Sequence, residues 1–364
     1  MRAFMTAVAT GMTALLAVAC TNSATDSEVS RPDECVPVTS TDLATADGWL
    51  AMITQSPDSV GLYFDDGRGR VVEHRADEQQ PLASAVKVVH LAAYARAVSG
   101  DELDPDEQIP LLDWERWYVP GTDGGAHPAA LERLGVANDG VSATDPDATV
   151  RLDDMVTAMI QESDNAVPDY LRYRLGDDAI AGAAAAGGWT DFEVPSLVTS
   201  ILAVFEPSLG QGDRWETANK WAFDQQFRQR ASAELALPSY DEQKMRVAEE
   251  FVGGSAAQLN SLYRAIADGG YGDAGDVVLR HLEWQPAPDG VVGLGFKGGS
   301  LPGVLTQAFE VRREDGTVGT AVWLIDDIPA ESYDAALSGF DHQQELIVDA
   351  LTSPTELDRI ACVV

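Results

Sequence analysis

The sequence predicts an α/β (α+β) fold: an antiparallel sheet built from both chain ends, flanked by helices, with an all-helical subdomain inserted between its halves. Three observations carry this. Apolar runs bounded by turn residues read as strands near residues 59–74 and again at 291–325. The sequence between them carries helical spacing, most plainly at Leu152, Met155, Val156, Met159 and Ile160. No internal repeat or low-complexity linker splits the chain beyond its N-terminal region. At 364 residues and 45 % hydrophobic content, the chain can build one large core. A single domain is expected over residues 39–364, with its helical subdomain at about 100–255.

The N-terminus reads as an export signal over residues 1–19. Arg2 gives a small positive charge, and the apolar run Phe4–Ala19 is too short to span a membrane comfortably. Ala17-Val18-Ala19-Cys20 then resembles a bacterial lipobox, although Leu16 stands one place earlier than usual. The resemblance implies cleavage before Cys20 and a lipid on its sulfur, anchoring the protein to the outer face of the cell membrane. Ordinary secretion with cleavage nearby is the alternative. The residues to about 38 are rich in Ser, Thr and Asp and read as a flexible tether. Cys35 and Cys362 stand near the two ends of the remaining chain. Export favours oxidation, and domain termini often lie close together, so a Cys35–Cys362 disulfide is expected over two free thiols. The five histidines are scattered and form no Cys/His cluster, so neither a metal site nor a cofactor is expected.

The elements follow in order. A helix is expected over Ser40–Met52, then a hairpin of Ser59–Phe64 and Arg70–His74 about the turn Asp65–Gly69. Pro81 starts a helix that ends at Gly100. Residues 101–150 read as loops and short helices in which Trp114, Trp117 and Tyr118 pack on the core or line a cleft. The run Thr122–His127 is a loop, and His127 is given no part in the chemistry. Helices follow over 150–160, 166–175 and 178–186. Residues 189–209 are mixed, and 211–250 are polar and helical with a hinge near Pro238. Ser255–Asp268 is an amphipathic helix. Val291–Phe296 is a strand, Val304–Arg312 and Val318–Ile325 form a hairpin about Asp315-Gly316, and Tyr333–Leu351 is a last helix.

Three short motifs carry chemistry. Ser84 and Lys87 are three apart, on one helical face. A lysine dried by an apolar helix can lose enough of its proton affinity to act as a base for a serine. Ser163-Asp164-Asn165 sits between two expected helices, and Lys297-Gly298-Gly299-Ser300 ends an expected strand. Alone, each has an ordinary reading: a solvated lysine, a helix N-cap, a strand end.

Together and in this order, S-x-x-K, S-D-N and K-G-G resemble the β-lactamase and penicillin-binding-protein family of serine acyl-enzymes, over roughly residues 51–351. The resemblance implies that Ser84 attacks a carbonyl carbon and Lys87 takes its proton. Lys297 depresses Lys87 and draws an anionic substrate, and Ser163 relays a proton to the leaving nitrogen. Asn165 and Gly299 bind substrate, and the backbone N–H groups of Ser84 and Ser300 form the oxyanion hole. Two departures stand out. Gly298 replaces the usual Thr or Ser of the third motif, whose hydroxyl helps bind a substrate carboxylate; Ser300 is the residue that can compensate. The E-x-x-x-N that deacylates class A β-lactamases is also missing. Glu193, in Asp191–Leu197, is the nearest candidate base, with Leu197 in place of the Asn.

Composition narrows the partners. Lys and Arg number 24 against 59 Asp and Glu, a net charge of −35, which repels nucleic-acid phosphates. The expectation is a lipid-anchored, monomeric serine hydrolase acting on β-lactams or related amides. The alternatives are a D,D-peptidase or esterase acting on peptidoglycan-derived peptides, and a non-catalytic binding lipoprotein that keeps the fold.

Overall fold

Thr45 starts the first regular element: its hydroxyl accepts from Gly48 N, and the helix α1 (Ala46–Gln55) follows. It is shorter at its start than the expected 40–52 because Asp42 turns back on itself, its carboxylate accepting from Ala44 N. The structure, a computed structural model, describes Pro32 and residues 35–364. The signal segment, Cys20 and most of the tether lie outside the described residues.

After α1 come strands β1 (Val60–Asp65) and β2 (Val71–His74). Pro81 does not start the next helix. It pairs as a short strand with Gly253, and a tight 3₁₀ turn over Ala83–Val86 leads into α2 (Lys87–Ser99). The middle of the chain is helical and includes α3 (Leu152–Gln161), α4 (Ala166–Leu175) and α5 (Leu197–Phe205). Three further helices fill 214–250, with Pro238 in the connection before the third. Ser255 caps α6 (Ala256–Ala267) through a reciprocal bond with Gln258. A helix over Asp273–Leu282, absent from the sequence reading, precedes β3 (Val291–Leu301), β4 (Val304–Arg313) and β5 (Val318–Ile325).

These five strands form one sheet in the order β2-β1-β5-β4-β3, every pair antiparallel. Both chain ends meet at its centre, where Leu62 of β1 stands opposite Trp323 of β5. Every residue of β5 is buried, as a strand covered on both faces requires. One face carries Trp49, Leu50, Ile347 and Ile360 against Leu305, Phe309 and Trp323. The other packs Ala308, Val322 and Leu324 against α2 and α6.

The expected last helix, 333–351, is instead α7 (Ala330–Ser338) and α8 (Phe340–Thr352), followed by α9 (Pro354–Ala361). The break at Gly339 has a steric cause. A Cβ there would sit 2.3 Å from Leu43 O, and Gly339 O accepts from the buried Trp49 Nε1 at 3.1 Å. Trp114, Trp117 and Tyr118 are all core residues.

Cys35 and Cys362 are joined, with Cα atoms 5.6 Å apart across 327 residues of sequence. The bond ties the start of the described chain to the end of α9. Because it closes so long a loop in the unfolded chain, Cys362→Ser is expected to lower stability by about 2–5 kcal/mol in urea denaturation.

Candidate active site

Three elements converge on a cleft of about 540 Å³. The first is the turn before α2. Ala83 has φ +47°, an uncommon conformation for a residue with a Cβ, and it leads Ser84 into the 3₁₀ turn beside β3. Thr306 of β4 brackets the two, its hydroxyl bonding Leu82 O at 2.9 Å and Gly299 O at 3.3 Å. Gly299 is where β3 passes Ser84. A Cβ on it would lie 2.3 Å from Ser84 N, so only glycine fits. β3 extends through the whole third motif to Leu301 rather than ending before it.

The second element is the turn between α3 and α4. Ser163 has φ +68°, which swings both its carbonyl and its hydroxyl toward α2. Lys87 Nζ reaches Ser163 O at 2.6 Å, Asn165 Oδ1 at 2.6 Å, Ser163 Oγ at 3.1 Å and Ser84 Oγ at 3.1 Å. The third is Lys297 of β3, whose Nζ donates to Ser163 Oγ at 3.0 Å and to Gly298 O at 2.8 Å. Ser163 therefore bridges two buried lysines, and neither has a carboxylate within 4 Å among the described residues.

Electrostatics follow from that arrangement. Burial strips water from Lys87 and pushes it down to about 7, against the pull of Asp164 and Asp123. Burial and the neighbouring Lys87 charge push Lys297 well below the ordinary lysine range. One turn behind, burial pushes His90 down to about 4, so it adds no charge there. A neutral Lys87 has two N–H groups and one lone pair. The carbonyl oxygens of Ser163 and Asn165 can only accept, so they take the two N–H groups. The lone pair is left for a hydroxyl proton, and Ser84 Oγ is in reach.

One residue set aside by the sequence reading holds this turn. His127 is buried in the first turn of a helix over Ala126–Arg133, not in a loop. Its ring bonds Asp164 Oδ2 at 2.6 Å and Glu115 Oε1 at 3.1 Å. Asp164, fully buried, also accepts from Trp114 Nε1 and from the N–H groups of Ala166 and Val167, capping α4. Burial opposes the His127 charge, but Asp164 and Glu115 overcome it and push the ring up to about 9. No motif marks a lone histidine 37 residues from its partner, so sequence carried no signal for it.

The structure places Glu193 elsewhere. It is exposed on the loop before α5 and lines a neighbouring cavity of about 720 Å³ with Trp189, Arg172 and Trp215. The reason is the start of α5. Ser196 caps it, and the buried Asp169 accepts from Val198 N at 2.9 Å, so Leu197 and Ile201 face the Ser84 cleft and Glu193 does not. The carboxylates that line the cleft, Asp123 and Glu162, are engaged. Asp123 accepts from His127 N and Gly125 N, and Glu162 pairs with Arg133 at 2.6 and 3.1 Å. Ser300 is exposed on the cleft wall beside Gly299.

The sequence model described as the Beta-lactamase enzyme family matches residues 46–234, just over half of the chain. The chain belongs to that family. Solved structures share its fold at low identity. A beta-lactamase from Sphaerobacter thermophilus DSM 20745 is 18 % identical over 86 % of this chain and 97 % of its own, with a TM-score of 0.53. One from Burkholderia ambifaria is 16 % identical over 84 % and 99 %, with a TM-score of 0.53. PBP-A is 15 % identical over 88 % and 95 %, with a TM-score of 0.50. No curated protein matches the chain. Family membership makes the chain a β-lactamase-like serine hydrolase in kind, and the matched span takes in the first two motifs but stops before the third.

The His127 clamp gives a signed pH prediction. His127 is raised from 6.5, so its contribution is fully present below about pH 6.5 and is lost as pH rises through about 9. Asp164 is held below the usual carboxylate range, so its contribution is lost at the acid end. His127→Ala is expected to destabilise by about 3 kcal/mol at pH 6, since it strips a buried charge of its partner. Urea denaturation at pH 6 and pH 9.5 checks this: the difference from wild type shrinks at the higher pH.

Proposed function

We propose that this protein is an exported serine hydrolase, lipid-anchored at Cys20, that is acylated at Ser84 by amide or ester donors, β-lactams among them, and deacylates slowly. The observation that carries the reading is Lys87: fully buried, pushed down to about 7, and 3.1 Å from Ser84 Oγ. At neutral pH about half of it is an amine able to take the serine proton. By analogy with the family, the backbone N–H groups of Ser84 and Ser300 would receive the carbonyl oxygen as it becomes negative. Ser163 Oγ, between the two lysines, is placed to hand a proton to the departing nitrogen or oxygen. Family membership and the fold shared with beta-lactamases and PBP-A support the same chemistry.

Slow deacylation is supported by the wall on which a base would have to stand. Leu197 and Ile201 are apolar and buried, and the lining carboxylates Asp123 and Glu162 are committed to other partners. That wall also favours a second reading, an esterase or D,D-peptidase whose acyl group passes to an acceptor other than water.

Intact-mass spectrometry of the protein mixed with benzylpenicillin tests the proposal. A mass gain mapped to Ser84 and lasting minutes or longer is expected, and Ser84→Ala abolishes it. Failure of Ser84 to react with any β-lactam or ester would sink it. Leu197→Glu places a carboxylate on the bare wall and is expected to shorten the acyl-enzyme lifetime by about tenfold or more, through general-base activation of water. An unchanged lifetime would show that a missing base is not what limits release.

A further inference from the structure

Gly298 lacks the hydroxyl expected at its place in the motif, and other groups fill that place. A Cβ on Gly298 would lie 2.7 Å from Phe296 Cζ and 3.1 Å from both Phe340 Cζ and Thr306 O. With those rings present, neither Ser nor Thr fits. Phe296 is itself fixed against Phe309, ring centroids 4.7 Å apart. From Gly298 an apolar ledge continues along the cleft over Phe296, Phe340, Tyr333 and Leu337, the last of these 41 % exposed.

Charge points the same way. Lys297 already donates to Ser163 Oγ and Gly298 O, and it is pushed well below the ordinary lysine range by burial and by Lys87. Asp123 and Glu162 line the same cleft, in a chain of net charge −35. A substrate carboxylate arriving over Gly298 would lose its water, find no hydroxyl on residue 298 itself, only those of Ser300 and Tyr333 farther along the wall, and enter an acidic field.

We propose that the acyl donor is uncharged on its leaving-group side and carries there an alkyl or aryl group that lies over Gly298 against Phe296, Phe340 and Leu337. This rests on the acylation of Ser84 argued above. In the step, Ser84 Oγ bonds the carbonyl carbon as Lys87 takes its proton. The bond from that carbon to the leaving oxygen or nitrogen then breaks, and the leaving atom receives a proton by way of Ser163. The apolar ledge holds the leaving group through burial of its hydrocarbon surface.

Two pairs of probes test it on the full-length protein in detergent. One is benzylpenicillin against its methyl ester; the other is 3-acetoxybenzoate against phenyl acetate. Each pair differs by one carboxylate on the leaving side. Acylation of Ser84, followed by intact mass and phenol release, is expected to be at least about tenfold faster for the neutral member of each pair, the cost of an unpaired charge in a dry site. A carboxylate member as fast or faster in either pair would overturn the proposal. If none of the four marks Ser84, the acylation reading itself fails and this one falls with it, a different result from a reversed ratio. Leu337→Lys sets an ammonium on the exposed ledge. It is expected to narrow both ratios by about threefold or more, by speeding the carboxylate members through the added charge and slowing phenyl acetate through lost apolar contact. An unmoved ratio would place the leaving group elsewhere and count against the proposal.

Discussion

Two lysines are buried around one serine hydroxyl with no carboxylate in contact among the described residues, and the rest of the structure serves that constraint. Moving Lys87 from about 10.5 to about 7 corresponds to about 5 kcal/mol of destabilised charge. A surface helix would relieve this by turning the side chain into water. Here α2 is buried along nearly its whole length, so there is no such route. The two carbonyl oxygens at 2.6 Å hold the nitrogen in place without restoring its charge. The disulfide, the doubly covered sheet and the His127–Asp164 pair keep the three elements from drifting apart.

The dryness that depresses Lys87 has a second consequence. The apolar walls of the cleft are Leu197, Ile201, Phe251, Phe296 and Phe340. Among the described residues these leave no lining carboxylate without a partner, and residue 298 itself offers no hydroxyl to an anion. A site built this way suits the attack on a carbonyl better than the release of the acyl group. On the proposed mechanism, the distinction between acylation and deacylation would lie in which residues of α5 face the cleft.

Much of this was legible in the sequence. The sheet from both chain ends, most helices and the Cys35–Cys362 link follow from periodicity, turn residues and compartment. Ser84, Lys87, Ser163, Asn165, Lys297 and Gly299, read as three separated motifs, do meet in one cleft. What was not legible depends on tertiary contact. Gly339 breaks a run with continuous helical spacing only because Leu43 O lies where its Cβ would be. Glu193 stood at a plausible distance along the chain, but Asp169 and Ser196 start α5 so that Leu197 turns inward instead. His127 looked incidental because its partners, Asp164 and Glu115, are brought to it only by the folded helical block.

The most direct test of this account is the titration of Lys87 itself, by NMR of lysine labelled with ¹³C at Cε, assigned through Lys87→Arg. The account predicts a midpoint near pH 7, as a dry site without a counter-ion requires. A midpoint above pH 9 would mean that Lys87 remains an ammonium where Ser84 needs a base, and would contradict the mechanism.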